Sequence, residues 1–214
     1  MKKSVYILVC LGAVACTKET KITIKNPEKG AEKKASHSTQ SVTYSTIHTI
    51  PVSTVPLGVF PYLDLPQGTQ TINNPLEREI DEVYFPIGNS LHLISGKLYK
   101  TFIERTENSE WSMPFFLKTY DDAIKAKGGA LIFKGKLRPD QLDFIKENAK
   151  YIGEEGSIDY WNEPVYSYII RQPHGDDVYI QLYANNASGA IQIVQQLPRK
   201  ESSLMTNDTI TNAL

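Results

Sequence analysis

The sequence predicts an α+β fold: an antiparallel sheet, with hairpins before and after, packed with two central helices. Three observations carry this expectation. Strand-like alternation runs from residue 80 to residue 104, apolar residues recur at helical spacing in two blocks between 114 and 152, and a second alternating region, the clearest in the chain, spans 164–196.

The elements follow in order. LGVFPYLDLP (57–66) suits an extended segment that Pro61 would confine to a sheet edge. IDEVYFPIG (80–88) places Val83, Phe85 and Ile87 on one face, SLHLIS (90–95) does the same with Leu91 and Leu93, and KLYKTFIE (97–104) follows. Asn89 after Gly88, and Gly96 before Lys97, are turn residues expected to join these strands as hairpins. Pro114 fits the first turn of a helix running to about Lys127, with Ser112 as its cap. Phe116, Leu117, Tyr120, Ala123 and Ile124 form its apolar stripe, and Gly128-Gly129 stop it. ALIFKGK (130–136) reads as a short strand. Pro139 opens a second helix with Leu142, Ile145, Ala149 and Ile152 inward and Gly153 at its end, and a polar loop spans 154–164. PVYSYIIRQ (164–172), VYIQLYA (178–184) and AIQIVQQ (190–196), joined by turns at 173–176 and 185–189, make a half-buried antiparallel meander.

Composition narrows the classes. The 214 residues carry 23 basic and 24 acidic side chains, with 41% hydrophobic content and a formal charge of -1. That is too apolar and too neutral for a disordered chain, and it offers no global attraction to nucleic acid. Two cysteines exclude a disulfide-rich scaffold or a cysteine-rich zinc module.

Residues 1–15 read as a signal peptide: Lys2 and Lys3 precede an apolar run from Val5 to Val14, and small residues stand before Cys16. An ordinary secreted protein with Cys16 free in its mature tail would share this layout. Ala13-Val14-Ala15-Cys16 resembles the lipobox of bacterial lipoproteins, with Ala13 where Leu is usual. That resemblance implies cleavage before Cys16, acylation of its thiol and amine, and the lipid bilayer as a partner. Thr17 in place of Asp implies the outer membrane, with the domain facing the periplasm. No cysteine follows Cys16, so the mature chain has no internal disulfide. Residues 16–54, poor in large apolar side chains, are expected to form the lipidated N-terminus and a flexible tether. Residues 55–197 then form a single domain, and 198–214 a polar tail.

Chemistry is sparse. His37, His48, His92 and His174 lack metal-ligand spacing, and no metal or cofactor is expected. Asp121-Asp122 suits an exposed helical face, and Asp176-Asp177 a turn. Glu154, Glu155, Asp159 and Glu163 crowd one loop with Tyr160 and Trp161. They could bind a cation or a glycan, act as paired carboxylates in hydrolysis, or form a charged loop on which Trp161 packs. No nucleophile elbow, phosphate-cradling glycine loop or HExxH motif is present, and no catalytic residue is assigned.

GVFPYL, DEVYFPIG, GKLYKTFIE, YDDAIKAKGGALIFKGK, YIGEEGSIDYWNEPVYSYIIRQ and VYIQLYANNASGAIQIVQQ together resemble the uncharacterised domain that precedes the outer membrane protein A-like domain in some bacterial envelope lipoproteins. The helix-Gly-Gly-strand unit around Asp121–Phe133 and the two final hairpin strands are its most specific parts. The resemblance implies an envelope location and an α+β domain without assigned activity. In that architecture a peptidoglycan-binding domain follows, whereas only 18 residues follow Gln196 here, so wall binding by that route does not carry over. The expected function is a non-enzymatic, lipid-anchored envelope protein whose domain contacts another envelope component, with Tyr166, Tyr168, Tyr179 and Tyr183 either offering the contact surface or lying under the helices. The alternatives are a small-ligand or glycan site built on Tyr160, Trp161, Glu154, Glu155 and Glu163, and a hydrolase using the acids of that loop.

Overall fold

The alternating and helical patterns resolve into one seven-stranded antiparallel sheet and two α-helices in the computed structural model, which describes residues 44–198. Cys16, the signal segment, most of the tether and the tail from residue 199 lie outside the described residues. In chain order the elements are a 3-10 helix (Tyr44–Thr49), β1 (Thr69–Thr71), β2 (Leu76–Ile87), β3 (Ser90–Arg105), α1 (Met113–Ala126), β4 (Ala130–Gly135), α2 (Pro139–Asn148), β5 (Val165–Ile170), β6 (Val178–Ala184) and β7 (Ser188–Gln196). No helix among the described residues is long and apolar enough to cross a membrane.

β3 organises the sheet. β7 pairs with its residues 96–104, while β2 and β1 lie end to end along its other side. β6, β5 and β4 continue beyond β7. The outer strands β2 and β4 also touch, and the Gly88 amide donates to the Ile132 carbonyl at 3.1 Å, so the sheet rolls until its edges meet at one end. This rolling buries both faces of the meander, which the sequence had suggested would be half buried. Ile180, Leu182, Ile191 and Ile193 pack outward against Phe116, Tyr120 and Ile124 of α1. Ile169, Tyr179 and Val194 point inward, where Phe85, Ile87, Ile94, Leu98 and Ile132 meet them. Ile145 of α2 closes one region of the interior with Ile158, Tyr160 and Tyr183.

α1 forms as its sequence dictates. Ser112 Oγ accepts the Phe115 amide, Pro114 sits in the first turn, and Gly128 takes a positive φ of 80° after the last turn. Five expectations need correction. Gly96 is no turn: β3 is one 16-residue strand, and a Cβ at Gly96 would run into the Gln195 carbonyl, so glycine serves close backbone approach. Residues 57–66 form no strand; Leu57, Phe60, Tyr62 and Leu63 instead pack as an irregular segment against the α1-side core. α2 ends at Asn148, because Ala149 is extended and Tyr151 left-handed, which leaves Ile152 exposed. Leu93 is exposed, and Ile94 is the residue buried in the interior.

The fifth correction concerns the tether, part of which belongs to the domain. Ile47 is buried among Phe85, Ile87 and Ile94, and Tyr44 stacks on His92 with ring centroids 4.1 Å apart. Arg171 fastens the segment: its Nη1 donates to the His48 and Ile50 carbonyls at 2.9 and 2.8 Å. The Arg171 carbonyl accepts the Ser53 amide at 2.9 Å, beside a parallel bridge to Val52.

Candidate functional site

The inward phase of four neighbouring strands places polar side chains in one row. Lys100 on β3 stands opposite Gln192 on β7, Gln192 opposite Gln181 on β6, and Gln181 opposite Ser167 on β5. All four are buried. Gln181 Nε2 donates to Gln192 Oε1 at 2.8 Å and to the Tyr160 hydroxyl at 2.9 Å, and Gln192 Nε2 donates to the Gly156 carbonyl at 2.9 Å. The Tyr160 hydroxyl donates to the Tyr84 carbonyl at 3.0 Å. Burial pushes the Tyr160 phenol well above its ordinary range against a smaller opposing effect of Gln181, so it stays protonated and neutral. Ser167 Oγ and Gln181 Oε1 have no hydrogen-bond partner.

An ion-pair cluster caps the Lys100 end of the row. Lys100 Nζ lies 2.8 Å from Glu154 Oε2. Arg78 forks onto the same carboxylate through both terminal nitrogens and reaches Asp81 Oδ2 at 2.6 Å. Burial alone would raise the Glu154 pKa, but hydrogen bonds from Arg78 and Lys100 outweigh it and hold the carboxyl below its ordinary value. The Arg78 guanidinium also sits 4.4 Å from the centroid of the Tyr151 ring. Next to the cluster is a cavity of about 50 Å³ lined by Lys100, Gln192, Tyr160, Lys150, Tyr151 and Ser157, among others. It has room for a few waters or one small polar group.

The loop acids singled out in the sequence therefore part company. Glu154 joins Lys100 and Arg78, whereas Glu155 fastens the loop to β3, its Oε1 accepting the Phe102 amide at 2.9 Å and its Oε2 the Asn73 side chain at 2.8 Å. Tyr160 is buried in the polar row rather than displayed. Trp161 is 39% exposed and stands edge-on to Tyr160 at 6.4 Å, outside the cavity lining. Glu163, half-buried, lies with Asp159 on the Tyr183 side, where both charges add to the effect of burial in raising that phenol's pKa. The structure thus brings Glu154 and Tyr160 to one site, and leaves Trp161 and Glu163 outside it.

Arg78, Lys100, Ser167, Gln181 and Gln192 escaped sequence reasoning. Gln181 and Gln192 did leave a signal, as polar residues in the phase opposite Ile180, Leu182, Ile191 and Ile193. Alternation alone marks such a phase as solvent-facing, and only the rolled sheet turns it inward. Three of the four strand tyrosines, Tyr168, Tyr179 and Tyr183, are likewise buried. Tyr166 is half-buried beneath Lys134 in an open groove of about 520 Å³ between α1 and the β4–β5 edge. Asp121 and Asp122 pair with Lys125 and Lys118 on the α1 surface. Among the described residues, no three His, Cys, Asp or Glu side chains are grouped to hold a metal ion. No family model matches the chain and no curated protein matches its sequence.

Proposed function

We propose that this chain is a lipid-anchored cell-envelope protein whose domain works by contact with another envelope component rather than by catalysis. The state of Glu154 supports setting aside a hydrolase built on the loop acids. A general acid for glycoside hydrolysis needs a carboxyl with a raised pKa, aimed into a cleft opposite a second acid. Glu154 has the reverse: its pKa is depressed, and both oxygens are held by Arg78 and Lys100. Glu155 is engaged by the β3 backbone and Asn73. The anchor half is supported by Cys16 directly after Ala13-Val14-Ala15. Acyl chains on that cysteine add about 0.8 kcal/mol of membrane affinity for each buried methylene.

Metabolic labelling with a palmitate analogue tests the anchor. The label is expected on the wild-type protein and absent from Cys16→Ser, which should also leave the membrane fraction; a labelled variant would overturn the assignment. In-cell crosslinking tests the contact, and failure to recover any reproducible envelope partner would count against it. A second reading, a small-ligand site beneath residues 149–163, is favoured by the cavity beside Lys100.

A further inference from the structure

We propose that Arg78 and Lys100 form a carboxylate-binding site that Glu154 fills from within the chain, and that residues 150–154 act as the lid a ligand carboxylate displaces. This inference rests on the small-ligand reading of the cavity and names its ligand class.

Both cations come from strands of the sheet, Lys100 from β3 and Arg78 from β2 at its register shift. Lys100 lies on β3, which is paired on both sides, and its side chain is 6% exposed. An ammonium so placed is costly to bury without an acid, and an apolar residue of similar volume would serve packing at least as well. The Arg78 fork is the geometry that recognises carboxylates. Of the polar row behind Lys100, Gln192 and Tyr160 line the cavity, whereas Ser167 and Gln181, whose Oγ and Oε1 have no partner, lie beyond it.

The acid, by contrast, comes from the loop. Gly153 carries a φ of 85° and has open space where a Cβ would project, whereas Gly156 presses on the β3 backbone at Lys100 and Thr101. One glycine gives the lid its freedom and the other its seat. Tyr151 and Ile152, 55% and 49% exposed, ride on the free part. The cavity, about 50 Å³ and open to solvent on one side, accommodates a carboxyl group, and seating that group on Lys100 requires residues 150–154 to move Glu154 aside.

Charge fixes the valence. Around the cavity, Arg78, Lys100 and Lys150 are matched by Asp81, Glu82 and Glu154. When Glu154 swings out, one negative charge restores the balance, which selects a monocarboxylate: either a free small acid or the C-terminus of a peptide.

Titration of the full chain by amide NMR separates these sources, with propionate, N-acetylglycylglycine and the amide of that peptide as probes. Glu154→Gln removes the internal competitor and is expected to bind a carboxylate probe about tenfold more tightly than wild type. Shifts should centre on Lys100, Tyr160 and Gln192, with faster hydrogen exchange across 150–154. Adding Lys100→Gln should abolish binding, and the peptide amide should not bind. Response to propionate alone assigns a small acid, and stronger response to the free peptide assigns a chain end. Glu154→Asp, which keeps the charge but reaches less far, should show a smaller gain and carries the test if Glu154→Gln folds poorly. The inference is overturned if neither variant binds any carboxylate probe more tightly than wild type, or if binding survives loss of Lys100. Failure here leaves the labelling and crosslinking results for the anchored-contact reading untouched.

Discussion

Lys100 and Glu154 are unequal partners, and the difference can be measured. Glu154 is held by two cations, whereas the ammonium of Lys100 has Glu154 as its acid among the described residues. Replacing Glu154 by Gln strands a buried ammonium, at an expected cost of about 3 kcal/mol. Lys100→Met leaves Glu154 on Arg78 and fills the same volume with an apolar chain, so less than about 1 kcal/mol should be lost. Combining the two should recover most of the first loss. Urea unfolding of the single and double variants checks this, and equal losses from the two single changes would contradict the asymmetry.

At the scale of elements, the 3-10 helix at Tyr44–Thr49 has its own pH dependence. Burial holds the His92 imidazole below its ordinary pKa, because its Nε2 is buried without a partner while its face stacks on Tyr44. A folded pKa below the unfolded value means that the unfolded state takes up the proton first. The docking of this helix therefore contributes fully above about pH 6.5 and weakens as pH falls below that value toward the folded pKa. Ile47 methyl resonances should shift toward solvent-exposed values over that range in wild type and hold steady in His92→Phe. A flat wild-type profile would show that the stack does not control docking. The sequence could not announce this helix: YSTIHT has one large aliphatic residue, and Ile47 gains its importance from β2, β3 and β4 rather than from its neighbours.

For the whole molecule, legibility follows the range of the forces involved. α1 was readable because Ser112, Pro114 and Gly128 act within a few residues of the backbone they direct. The meander was readable because its alternation and turns are local. The rolling of the sheet depends on β2 and β4, far apart in sequence, and so the inward polar row and the real phase of Leu93 and Ile94 stayed hidden, while the strand tyrosines were left between two readings. Gly96 was misread for the same reason: its partner at Gln195 is 99 residues away. Gly96→Ala should therefore destabilise the fold by more than about 3 kcal/mol, since β7 would have to leave β3, whereas Gly153→Ala, strained but unobstructed, should cost about 1 kcal/mol. Thermal unfolding of both variants checks the contrast, and similar losses would mean that β3 and β7 separate more easily than their register implies.

The Arg171 clamp has a mechanical consequence. Any pull on the chain ahead of Tyr44 meets the Tyr44 stack and the Ile47 packing, then the Arg171 bonds to His48 and Ile50 and the parallel bridge at Val52, before it passes along the chain to β1. Two bonds from one Arg171 nitrogen and one from its carbonyl to Ser53 share that load on a single residue. Arg171 is then a strain relief, keeping tension on the leading segment from unravelling the rolled sheet behind it.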